Sequence, residues 1–199
     1  MSSTPIPDET PGDAKRAKAR ATRDRLLDSF EEILMSLGAP GATLEAVAAG
    51  AGVSKGGLLY HFAGKDALVE AQIERLWGLY DIDKEAILTA PEGSVRYYLR
   101  TSIETDSPYD RAIVAALRRA QNLDERAIQA LDEMKAGWRE TIQSVVGDPD
   151  LARTICLLGS GLYESATIRG LHVGPTADDY ADVEAALATL ARLTNQPGQ

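Results

Sequence analysis

The sequence predicts an all-α protein, a small three-helix N-terminal unit followed by a larger helical bundle. Three observations predict it. Apolar residues recur at three- and four-residue spacing along most of the 199-residue chain, and period-two alternation of β-branched residues is scarce. Helix starts are punctuated twice by a capping side chain before a proline, at Ser107-Pro108 and Asp148-Pro149. The stretch Thr43–Lys65, TLEAVAAGAGVSKGGLLYHFAGK, reads as two short helices around a glycine-rich turn.

Taken in order, residues 1–13 carry too few apolar side chains to pack and are expected to be a disordered tail. A long helix is expected over Ala14–Leu37, with Leu26, Leu27, Phe30, Ile33, Leu34 and Leu37 on one buried face, stopped by Gly38-Ala-Pro-Gly41. A connecting helix follows from Lys65 to about Asp81, bearing Val69, Ile73, Leu76, Trp77 and Tyr80. Further helices are expected from Ser94, from Ser107 to Gln121, from Asp124 to Val146 and from Asp148 to Arg169, with Ala177 to Asn195 closing the chain. The last two carry apolar stripes, Leu151, Ile155, Leu158 and Leu162 on one, Val183, Leu187, Leu190 and Thr194 on the other. Such stripes serve an internal core or an interface equally well. The expected organisation is thus a tail over 1–13, a small first domain over 14–64 and a second domain over 65–199.

Within the central stretch, Thr43 and Ser54 suit N-caps, and Leu44, Val47 and Ala48 form a narrow apolar stripe. Gly52 suits the left-handed residue that the turn needs. The second helix buries Leu58 and Phe62 and offers Lys55, Gly56, Gly57, Tyr60 and His61. Two short helices at a steep angle, the second with a cation, bare backbone and polar-tipped rings, form a helix-turn-helix that fits a DNA major groove. Glycine lets backbone approach phosphate closely, and Lys55 and Lys65 supply point charges that position without specifying sequence.

Thr43, Ala48, Gly52-Val53-Ser54, Phe62 and Lys65-Asp66-Ala67-Leu68 resemble the DNA-binding domain of the TetR family of transcriptional regulators. The resemblance covers the first third of the chain without a gap. Leu59 stands where that family usually has a tyrosine, and Tyr60 follows it, about 100° further round the helix. The candidate DNA-binding residues are Thr43, Ser54, Lys55, Gly56, Gly57, Leu58, Tyr60, His61 and Lys65. The resemblance further implies a homodimer through the last two helices, a palindromic operator in double-stranded DNA, and a small-molecule effector held among the C-terminal helices. Trp77, Tyr80, Tyr98, Met134, Trp138 and Tyr163 combine apolar bulk with polar tips and are the candidate effector contacts; ordinary core packing accounts for them as well.

Composition sets further bounds. The net charge of −9 divides unevenly: residues 14–68 carry +2 and residues 69–199 carry −8. Lys15, Arg16, Lys18, Arg20, Arg23 and Arg25 face only Asp24, so a basic end would orient an acidic body on a polyanion. The chain lacks a run of 18 apolar residues and its start lacks an apolar signal core, so neither a membrane span nor a secretory signal is expected. One cysteine, Cys156, fits a reducing cytoplasm. With two histidines, His61 and His172, and no P-loop or nucleophile-elbow motif, the sequence offers no metal cluster, cofactor site or catalytic constellation. The expected function is ligand-responsive transcriptional repression. An activator of the same architecture, a helical binding module without DNA affinity and an all-α enzyme are the rivals.

Overall fold

The computed structural model describes residues 11–194, which form nine helices with no strand among them. The first ten residues of the expected tail lie outside the described residues. In chain order these are α1 (Pro11–Gly41), α2 (Leu44–Gly50), α3 (Lys55–His61), α4 (Lys65–Thr89), α5 (Ser94–Thr101), α6 (Pro108–Ala120), α7 (Glu125–Val146), α8 (Pro149–Ile168) and α9 (Ala177–Thr194). The chain divides into two compact units, Met1–Gln72 and Ile73–Gln199, with the division falling inside α4.

In the N-terminal unit, α1 starts at Pro11, earlier than expected, because proline suits a helix's first position. It breaks at Gly38, whose φ of 70° leaves the helical region. The break corrects one assignment: Leu37, expected on the buried face, is 66% exposed, while Leu26, Leu27, Phe30 and Leu34 form the core. Helix α2 packs closely on α1, where the Ser29 hydroxyl donates to the Val47 carbonyl at 3.0 Å. A Cβ on Gly50 would stand 2.3 Å from Ser29 Oγ, so glycine is what permits that approach. Phe62, 2% exposed, closes α3 onto the core with the Arg23 guanidinium 4.7 Å from its ring centroid.

In the C-terminal unit, α7 packs against both α6 and α8, and α5 against α8 and α9. Helix α4 continues to Thr89, beyond the expected Asp81, because no breaker precedes Pro91 and Ile87 is fully buried as an anchor. The stripes on α8 and α9 serve mostly the internal core: Ile155, Val183 and Leu190 are buried with Leu151, Leu162 and Leu187 packed against them. Leu158, from the same stripe, is exposed, as is its neighbour Leu157. Between α6 and α7, Leu123 takes a left-handed φ of 61°, and the buried Arg119 donates to Asp124 Oδ2 at 2.8 and 3.1 Å. Asp124 Oδ1 meanwhile caps α7.

Two glycines inside helices seat tyrosines. A Cβ on Gly137 of α7 would lie 1.8 Å from the Tyr80 hydroxyl, and one on Gly159 of α8 would lie 2.4 Å from a Tyr98 ring carbon. Gly137→Ala is therefore expected to destabilise the protein by about 1–3 kcal/mol despite alanine's better helix propensity. Adding Tyr80→Phe should recover most of that loss, and a double-mutant cycle from chemical denaturation measures it. Phe62→Ala should cost about 3–5 kcal/mol as a lower thermal midpoint of the N-terminal unit.

Candidate DNA-recognition face and aromatic cluster

The recognition face is set by how α2 ends and α3 begins. At the end of α2 the Gly52 N–H bonds to the Ala49 carbonyl at 3.1 Å and the Val53 N–H to Ala48 at 2.9 Å. This is a Schellman turn with Gly52 left-handed at φ 68°. Thr43 Oγ1 accepts the Ala46 N–H at 3.1 Å at the start of α2, and Ser54 Oγ accepts the Gly57 N–H at 3.0 Å at the start of α3. Both side chains are exposed, but their oxygens serve the caps.

The geometry of α3 sorts the remaining candidates. Leu58, 0% exposed, packs inward and is removed from the contact set, because its side chain shares the buried face with Phe62. Tyr60 is 81% exposed, and half-buried His61 meets its ring edge-on at 5.1 Å. Gly56 is exposed and Gly57 half-buried at the start of the helix, beside exposed Lys55.

Both lysines are engaged. Lys55 Nζ donates to Glu45 Oε1 at 2.6 Å, joining α3 to α2, and Lys65 Nζ donates to the Ala39 carbonyl at 3.0 Å. The Lys55 hydrogen bond holds the Glu45 carboxyl below its ordinary range. Sequence spacing missed Glu45, since it lies ten residues away on a different helix.

The six aromatic and sulfur candidates all lie in the C-terminal unit, in two adjoining core clusters that share Trp138. Trp138 on α7 is met edge-on by Tyr80 of α4 at 6.0 Å, Tyr98 of α5 at 6.3 Å and Tyr109 of α6 at 6.4 Å between ring centroids. Trp77 meets Tyr80 at 5.3 Å. Met134 is fully buried among Leu76, Ile113, Ala130 and Leu131 and serves as packing. Tyr163 of α8 packs at the edge of the same cluster.

The structure adds three residues that sequence reading passed over. The Trp138 indole N–H donates to Asp83 Oδ2 at 3.0 Å. Asp83 lies one helical turn after Tyr80, a spacing that would have signalled a shared face. Tyr109 was hidden in the first turn after Ser107-Pro108. Asp110 was legible only as the acidic partner of the Ser107 capping box, where its Oδ2 accepts the Ser107 N–H at 2.9 Å.

Burial raises the Asp83 carboxyl above the ordinary range; the Trp138 hydrogen bond opposes this and the Asp110 charge adds to it. Burial first, then the charges of Asp81, Glu140 and Asp83, push the Tyr80 phenol up to about 12. Burial and Asp83 likewise hold Tyr109 neutral, and burial and Asp110 hold Tyr163 neutral. Among the described residues no group of histidine, cysteine and acidic side chains could hold a metal ion, and no helix is long and apolar enough to cross a membrane.

Comparison with known proteins agrees with the N-terminal geometry. The family model for bacterial regulatory proteins of the tetR family matches residues 26–71, from the core of α1 into α4. The HTH-type transcriptional regulator RutR of Escherichia coli K12 is 33% identical over 101 residues, 50% of this chain and 46% of RutR. The chain spans less than half the length of the curated relatives it matches. Among solved structures, reduced E. coli NemR superposes with a TM-score of 0.66 at 22% identity, over 89% of this chain and all of NemR. The multidrug binding protein EbrR in complex with malachite green gives 0.57 at 20% identity, over 84% and 96% of the two chains. At such identities these structures show a shared fold. The Gly52 turn, two capped short helices and a family match over the same residues agree: residues 26–71 form a helix-turn-helix of the tetR family of bacterial regulatory proteins.

Proposed function

We propose that the protein is a homodimeric transcriptional repressor that leaves a palindromic operator when a small-molecule effector binds its C-terminal unit. The observation that carries the reading is the face of α3: Leu58 is buried beneath it while Tyr60, Lys55 and Gly56 are exposed on a helix set by the Gly52 turn. Lys55 and Lys65 take phosphates in exchange for their present oxygen partners, Tyr60 and His61 reach base edges, and Thr43 and Ser54 hold the helix starts in place. The protein works where bacterial DNA lies, in the cytoplasm.

A two-fold dimer presents two α3 helices about 34–36 Å apart, one turn of B-DNA. Exposed Leu157 and Leu158 on α8 and Leu193 on α9 supply apolar surface for that pairing. The effector binds among Trp77, Tyr80, Tyr98, Trp138 and Tyr163, beside Met134. EbrR, of similar fold, is a multidrug binding protein. Effector and DNA oppose one another through α4, each weakening the other by one coupling free energy of about 1–3 kcal/mol.

Selection of bound duplexes from a random DNA library by the purified protein should recover a palindrome. No enrichment at low salt would favour a helical binding module without DNA affinity. Glu45→Gln is expected to tighten operator and random DNA alike by freeing Lys55, whereas Lys55→Ala should weaken both and lower the salt slope by about one. Tyr60→Ala should instead reduce the preference for operator over random DNA, read by paired gel-shift titrations; equal losses on both would remove it from base reading.

A further inference from the structure

The chemistry around Trp138 narrows the effector. Four rings from four helices gather there, and the indole N–H donates to a carboxylate: Tyr80, Tyr98 and Tyr109 meet Trp138, which bonds Asp83. Asp110, buried, follows Tyr109 on α6 and acts on the Tyr163 phenol of α8. The carboxylates Asp81, Asp83, Asp110 and Glu140 act on the Tyr80, Tyr109 and Tyr163 phenols, and Lys84 is the cation at the Tyr80 ring. Arg118 and Arg169, either of which could have favoured an acidic ligand, are committed elsewhere. Arg118 is exposed and bonds Gln121, and Arg169 bonds Asp179 at 2.6 Å.

Two further features point to a ligand rather than to plain core. The Tyr109 hydroxyl oxygen is sealed from solvent yet has no hydrogen-bond partner, whereas Tyr163 has Asp110 beside it. Buried polar atoms in a finished core are normally satisfied. Asp83, Trp138, Tyr109 and Tyr163 are nevertheless only half-buried as residues, so the cluster is reachable from outside. One ring already attracts a cation, the Lys84 ammonium lying 5.2 Å from the Tyr80 centroid. Ring faces and a poorly solvated carboxylate together recognise a diffuse positive charge, one that loses little hydration on entry.

We propose that the Trp138 cluster binds a lipophilic organic cation, its charge held by Asp83 and the surrounding rings and a polar substituent by the Tyr109 hydroxyl. This deepens, and rests on, the reading of the C-terminal unit as the effector site.

The test compares tetraphenylphosphonium with tetraphenylborate, ions of one shape and opposite charge, by calorimetric titration of the full chain. The cation should bind at least about tenfold more tightly than the anion. Asp83→Asn, which keeps an oxygen to accept the Trp138 N–H, should remove most of that preference. Near-ultraviolet circular dichroism from Trp77 and Trp138 confirms that the variant is folded. Equal or tighter binding of the anion, no binding of either ion, or an unchanged preference in a folded Asp83→Asn variant would each overturn the inference. If the variant does not fold, the comparison on the unaltered protein still decides. The effector-site reading would fall separately, if no member of a panel of neutral, anionic and cationic aromatic compounds raised the thermal midpoint.

Discussion

An all-helical chain must satisfy the free N–H and C=O groups at the ends of every helix, and the rest of this structure depends on how it does so. Thr43, Ser54, Ser107, Asp124 and Asp148 each turn a side-chain oxygen onto first-turn amides. Gly52 and Gly147 close helix ends in left-handed conformation. Because each cap fixes where a helix starts, it also fixes the phase of that helix's faces. For α3 the phase matters most. Starting the helix after Ser54 puts Leu58 inward and Tyr60 outward, and a shift of one residue would rotate the face by about 100°.

The short helices gain their stability from tertiary packing rather than from length. Seven residues each, α2 and α3 would not persist alone. Close approach to α1 holds α2, and that approach needs the missing side chain at Gly50 beside Ser29. Phe62 then closes the far end of α3 under Arg23. One cation of the basic N-terminal segment is thereby used in packing, so the segment's charge does not act only on solvent or on a polyanion.

The C-terminal unit meets a different constraint. Its aromatic residues converge from α4, α5, α6 and α7, and their polar tips must be housed within an apolar interior. Trp138 finds Asp83, and the glycines at 137 and 159 make room for Tyr80 and Tyr98. The Tyr109 hydroxyl stays without a partner, where buried polar atoms are normally satisfied. A buried ion pair of Arg119 with Asp124 fixes the neighbouring α6–α7 turn, so the strain of left-handed Leu123 is held by a charged clamp.

Sequence alone determined the helices, their caps and the recognition motif, because capping, periodicity and turn chemistry act over three or four residues and are written in consecutive positions. Helix phase followed, and with it the burial of Val47, Phe62 and most of α1's apolar face. Only the tertiary structure decided what depends on distant residues meeting. It exposed Leu37 just before the Gly38 break and paired Lys55 with Glu45. It also turned most of the α8 and α9 stripes toward the internal core and brought Asp83 and Tyr109 to Trp138. Those outcomes rest on which helix faces pack together, a choice made by burial of apolar area over the whole unit and not encoded at any single spacing.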